Sequence, residues 1–275
     1  LGGQTVIYVL LLLLLAAASM PQIGTLLLAT TNWATSGTFP TELTGKYLGT
    51  LSTNPDVTRA IINSLTYSGL AVVFMVLVGA SIAYVVARRQ IPGRSILDVM
   101  ATVPVAVPGI ALAVGFFLFF TAYFRGTALD PLIDPSLLLV FAYSVRRLPF
   151  TSRAISAGLQ QIDVSLEEAS LNIGARRSTT FLKIVLPLIA SNIIGGSILS
   201  FVYSMSEVST SSTLGALHED RMPITFFISQ IVYGVAAVGA VSIGAALCVL
   251  LMAVQILAMV ISNLILKQRV AFLGV

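Results

Sequence analysis

Few side chains in this sequence could do chemistry, and none form a catalytic constellation. The one cysteine, Cys248, lies in an apolar run, and the one histidine, His218, lacks the neighbours a zinc site needs. No Gly-x4-Gly-Lys-Ser/Thr run occurs, so the chain has no phosphate-binding loop of its own. Carboxylates and hydroxyls concentrate in two places. The first is Ser165-Leu166-Glu167-Glu168-Ala169-Ser170-Leu171-Asn172-Ile173-Gly174. Ser165 followed three residues later by Glu168 has the spacing of a capping box, in which each side chain accepts the other's backbone N–H. Glu167 and Glu168 fall in the first turn, where the helix dipole favours negative charge. Gly174 stands where a helix ends in a left-handed backbone. Leu166, Ala169, Ser170 and Ile173 share one face. A helix of two turns is marginal alone in water, so this one is expected to be held by its flanks and pressed into a partner. The second place is Ser204, Ser206, Glu207 and Ser209 to Thr213, a lone carboxylate among hydroxyls. It reads as the mouth of a pathway, a surface for a docking protein, or a solvated helix end.

The first stretch has a sequel, Ile184-Val185-Leu186-Pro187. Glu168-Ala169-Ser170, three residues, Gly174, nine residues, then Ile184-x-Leu186-Pro187 resembles the EAA loop of the permease subunits of type I ABC importers. The one departure is Ser170 in place of the second alanine. The resemblance extends from about residue 60 onward and includes Ala142-Tyr143, Leu148-Pro149-Phe150, Ala157-Gly158-Leu159 and Ile162-Asp163. It implies a cytoplasmic coupling helix between the fourth and fifth of six spans, docking on an ATPase through the residues from Ser165 to Gly174 and on to Pro187. It also implies partners: a cytoplasmic ATPase dimer that holds ATP and Mg, a second permease subunit or half, and an extracellular solute-binding protein. This chain would itself bind no cofactor and hydrolyse no ATP.

The elements that must position these residues are membrane spans. Of the 275 residues 57% are hydrophobic and 9% charged, with a mean hydropathy of +0.97, against about 25% charged in a soluble domain. Net charge +4 would suggest nucleic acid in a soluble protein; here the positive-inside rule explains it. Apolar runs predict an all-α polytopic protein with spans at about 6–30, 60–87, 96–124, 136–150, 181–204 and 236–266, and a coupling loop over about 151–180. The first run is too long, and too poor in preceding basic residues, for a signal peptide. The opening Leu1-Gly2-Gly3 lacks Met, which suits either a trimmed chain or one half of a longer permease.

In the third run, Pro104 and Pro108-Gly109 force a bend, read either as a pathway lining or as a kinked packing helix. A similar Pro-x3-Pro-Gly occurs in the importers of iron, polyamines and molybdate. The fourth run is short, so Arg146 and Arg147 are expected to snorkel to the cytoplasmic surface. Ser178 is the expected N-cap of the fifth span, and Gly195-Gly196 permit close helix approach. Of the fifteen basic residues, eleven fall on the side of the motif, which places both termini in the cytoplasm of a cell (inner) membrane protein.

The solute expected from the resemblance is ferric iron or another small ion or polyamine, and an acidic mouth at Glu207 favours a cation. A secondary transporter or channel is the alternative, opposed by the lack of a carboxylate away from the span ends. A membrane-embedded enzyme finds no support in the residues.

Overall fold

The helices begin and end where local chemistry dictates. In the computed structural model, residues 2–33, 39–234 and 239–272 are described, with side chains from residue 4 to 265. Gly37 and the expected start of the last span at residue 236 lie outside the described residues, as do the side chains of Lys267 and Arg269. Helix α1 is Gly2–Thr30 and α2 is Lys46–Thr53. Helix α3, Pro55–Arg88, starts five residues before the expected Ala60. Asn54 Oδ1 accepts the N–H groups of Asp56 and Val57 at 3.0 and 3.3 Å, and Pro55 takes the first helical position, where a missing N–H costs nothing.

The third apolar run is two helices rather than one bent span. Helix α4, Arg94–Thr102, passes through a 3₁₀ turn at Val103–Val105, and α5, Gly109–Tyr123, leaves at 107° to it. Pro104 sits in the turn and Pro108 is the residue that caps α5, so the two prolines break the helix outright. Helix α6, Ser136–Gln160, follows without interruption and takes Pro149 inside it. It is the expected fourth span together with the start of the coupling loop. Helix α7 is Val164–Asn172. Helix α8, Arg177–Met205, opens at Arg177 rather than after Ser178. It contains one π turn at Phe181–Val185. Pro187 cannot donate to the Lys183 carbonyl and its ring would press on it, and the widened turn lies at that point. Helices α9, Ser209–Leu214, α10, Ile224–Gly234, and α11, Ala240–Phe272, complete the order.

Two compact units result. The first comprises residues 1–58 and 227–253. There Ala29, Ala245 and Ala246 are buried together against Tyr47, Leu48 and Leu51. The second comprises residues 59–226 and 254–275. Its centre is α6, which packs along α8. Gly196 makes that approach possible: a Cβ there would stand 2.7 Å from the Ala154 Cβ, whereas Gly195 faces open space. One core gathers Tyr67, Met75, Leu138, Leu139, Tyr143 and Leu214. Another gathers Ala83, Ile155, Leu159, Val185 and Ile189 below α7.

Among the described residues four helices are long and apolar enough to cross a membrane, or five if the α4–α5 pair is one span. Helix α6 is not among them. Its charged residues lower its hydropathy, although it is the best-buried long helix of its unit.

Candidate functional site

Helix α7 is fixed at both ends by backbone chemistry. Its N-cap is Asp163, not Ser165: the Asp163 carboxylate accepts the Ser165 N–H at 2.9 Å. That bond holds its carboxyl below the usual range. The expected capping box between Ser165 and Glu168 is therefore absent, because Asp163 takes the cap two residues earlier and Ser165 lies inside the helix. At the other end Gly174 has φ +89°. Its N–H donates to the Leu171 carbonyl at 2.9 Å, and the Ala175 N–H donates to that of Ser170 at 3.1 Å. This is the paired-bond helix terminus that glycine supports.

One face of α7 is tied to its own chain by Glu167. Arg88 Nε donates to Glu167 Oε1 at 2.7 Å, and the Tyr84 hydroxyl donates to Oε2 at 3.2 Å. Arg88 also donates to the Ile162 carbonyl at 2.8 Å, so it clamps the helix and the segment before it. Ser170 and Thr180 hydroxyls meet at 3.0 Å in a buried contact. The residues of the motif thus divide. Glu167 and Ser170 face inward, while Leu166, Glu168, Ala169 and Ile173 are exposed, Ile173 by 86%. The apolar stripe expected from Leu166, Ala169, Ser170 and Ile173 loses Ser170 to the interior, and the rest of it points away from this chain. Ile184 lies within the π turn of α8, and Leu186 and Pro187 follow that turn directly.

A second cluster lies at the middle of α6. Arg146 donates to Glu207 Oε1 at 2.9 Å, and Arg147 pairs with Glu207 Oε2. Glu207 is 2% exposed. Thr225 Oγ1 donates to its backbone carbonyl at 2.8 Å, and the Ser211 hydroxyl does the same. The Tyr143 hydroxyl meets Ser211 at 2.6 Å. The Arg146 guanidinium occupies the space a Cβ on Gly109 would need, 1.3 Å from that position. So Gly109, just after the break at Pro108, packs on the same arginine that holds Glu207.

This arrangement corrects two expectations. Arg146 and Arg147 do not snorkel to a surface, because a buried carboxylate holds them. Glu207 does not form an open acidic mouth or a solvated helix end. Part of the polar run after Ser204 forms α9, in which Thr210, Ser211 and Leu214 are buried. Ser204 is buried too, and its hydroxyl has no partner. The sequence carries half of a signal for this site: two adjacent arginines directly after an apolar run call for a carboxylate, but nothing along the chain singles out Glu207, which stands among hydroxyls.

Residues 79–272 match the family described as binding-protein-dependent transport system inner membrane component. The chain belongs to that family. The EAA-like spacing from Glu168 to Pro187 lies inside the matched region of this inner membrane component. Among its relatives is the ferric transport system permease protein FbpB of Actinobacillus pleuropneumoniae, 31% identical over 71% of this chain and 27% of the relative. The molybdenum transport system permease protein ModB of Escherichia coli K12 is 33% identical over 56% of this chain and 70% of the relative. The chain thus spans about a quarter of the length of the ferric permease it matches. Its fold is that of a chain in the crystal structure of a bacterial alginate ABC transporter in complex with alginate pentasaccharide-bound periplasmic protein. The TM-score is 0.70 at 19% identity, covering 97% of this chain and 96% of that one.

Proposed function

We propose that this chain is a permease subunit of an ATP-driven importer that works with a solute-binding protein. The observation that carries the reading is α7: a short helix locked to α3 by Glu167 and ended by Gly174, with Leu166, Ala169 and Ile173 turned outward and uncovered by their own chain. An exposed apolar stripe on a rigidly held helix is suited to a partner's cleft. The partner proposed is a cytoplasmic ATPase dimer, which supplies ATP and Mg. A second permease subunit or half and an extracellular solute-binding protein complete the assembly. Both termini and the coupling loop are assigned to the cytoplasm. Binding of the solute-binding protein and closure of the ATPase would bias one packing of the spans over another.

The proposed solute is a small ion, ferric iron among the candidates; the two relatives are named for ferric and molybdenum transport. The acidic-mouth argument for a cation does not hold, because two arginines meet the one carboxylate of Glu207. Pathway roles for Pro104, Pro108, Gly109, Ser204 and Glu207 remain part of the proposal, supported by two helix breaks beside α6, one at Val103–Pro108 and one between Met205 and Ser209. A secondary transporter or channel without an ATPase is the second reading. It gains from those broken helices and from the buried carboxylate. Co-purification with an ATPase separates the two.

The test is Gly174→Val beside Glu168→Ala. A β-branched residue at φ +89° costs roughly 1–2 kcal/mol, enough to unseat the end of a nine-residue helix. Gly174→Val should impair ATPase pull-down and transport more than Glu168→Ala does, with membrane insertion unchanged. Normal expression together with wild-type transport by Gly174→Val would sink the coupling-helix assignment.

A further inference from the structure

The geometry points to a binding site for one anionic phospholipid, with its acyl chain in the groove between α3 and α8 and its phosphate between Arg89 and Arg177. The groove has a volume of about 580 Å³. Its apolar length is lined by Val76, Leu77 and Ala80 from α3 and by Phe181, Leu186 and Ile193 from α8. From Val76 to Arg89, just past the end of α3, the rise is about 20 Å, close to the depth of one leaflet with its headgroup region. At one end the lining changes character to Tyr84, Arg89, Arg177 and Ser178. Tyr84, Arg89 and Arg177 also line the adjoining cleft of about 260 Å³ beside α7. Two openings, one apolar and one polar, therefore share a basic rim, which is the shape of a tail channel and its headgroup recess.

The charge balance at this rim identifies the ligand class. Its buried carboxylate, Glu167, is consumed by Arg88 at 2.7 Å with Tyr84 as second partner. Among the described residues neither Arg89 nor Arg177 pairs with a carboxylate; Arg89 lies over the Tyr84 ring, 6.0 Å from its centre. Glu168, exposed, lines the same cleft and forms no ion pair among the described residues. With Arg88 and Glu167 paired to each other, Arg89 and Arg177 outnumber the Glu168 carboxylate of the cleft, and a net positive rim at the mouth of an apolar groove complements a phosphodiester joined to a hydrocarbon tail. A zwitterionic lipid brings its own cation to the same place and loses that advantage. A bound headgroup would lie against the Arg88–Glu167 clamp, so the lipid would stiffen the seat of α7. This inference goes beyond the transport reading and needs no ATPase for its test.

The experiment is native mass spectrometry of the full chain released from phosphatidylcholine nanodiscs, with or without phosphatidylglycerol. Wild type should retain one phosphatidylglycerol in preference to phosphatidylcholine. Each arginine near an anionic surface contributes a factor of about five. Arg89→Gln with Arg177→Gln should therefore reduce the preference roughly thirtyfold. Ser81→Trp, which fills the exposed wall of the groove and leaves both arginines in place, should lower retention of phosphatidylglycerol without changing the protein's charge. Equal retention of the two lipids by wild type, or an unchanged preference in the double variant, would overturn the proposal. So would displacement of the lipid by inorganic phosphate alone, which would mark a free-anion site. Loss of the lipid on assembly with a second permease would also overturn it, by showing that protein covers the groove.

Discussion

Two arginines share one carboxylate at the middle of α6, and that ratio governs what substitution does there. Glu207 is 2% exposed, and its removal leaves two guanidiniums facing each other in a site from which water is largely excluded. Breaking a buried pair from one side costs about 3–5 kcal/mol. Glu207→Gln should therefore lower the thermal unfolding midpoint in detergent, and not merely slow transport. Arg147→Met removes the arginine whose Nε is already buried without a partner, so Glu207→Gln should cost several-fold less in that background. A double-mutant cycle on unfolding midpoints reads the coupling directly. Additive midpoints would show that the pair contributes no mutual stabilisation. In the sequence the arginines read as surface anchors because spacing along one helix says nothing of a partner 60 residues later.

At the scale of the element, α7 shows which part of a motif a sequence displays. Gly174 is legible because a left-handed terminus admits few residues other than glycine. The start was misplaced because Asp163 and Ser165 are both good caps, and only the observed backbone, extended at Asp163, chooses between them. The two glutamates are equivalent by propensity and dipole. What separates them is Arg88, 79 residues earlier, which binds Glu167. Glu167→Gln should consequently release α7, raising amide exchange over residues 164–172 by tenfold or more, taking a charge-assisted bond as about 1.5–3 kcal/mol. Glu168→Gln should leave exchange close to wild type. Equal protection in the two variants would show that the Arg88 clamp does not hold the helix.

For the whole molecule, the membrane class was plain from composition, because apolar runs of span length have few other uses. The number and shape of the spans were less so. Two prolines specify a bend, but its size, 107°, depends on what α5 packs against. Helix α9 was hidden because its polar face of serines and threonines is satisfied inside the protein rather than by water. The basic asymmetry survives the correction at α6: without Arg146 and Arg147, eleven against four becomes nine against four. The proposed orientation then predicts that cysteines placed at Ser165 and Thr44, in a Cys248→Ala background, label from opposite sides of the membrane. Labelling of both from outside would reverse that assignment.

The charges on α6 also bear on how the protein is made. The chain emerges in order, and if α6, Ser136–Gln160, is the proposed fourth span, it enters the membrane machinery with Arg146 and Arg147 unpaired. Each guanidinium at mid-depth opposes insertion by about 2.5–3.5 kcal/mol. Their carboxylate is not synthesised until 60 residues later, so this segment has to wait, sheltered, for Glu207 to arrive. The second unit therefore closes only after Glu207 has been made, and a ribosome halted before Glu207 would leave α6 without its counter-charge.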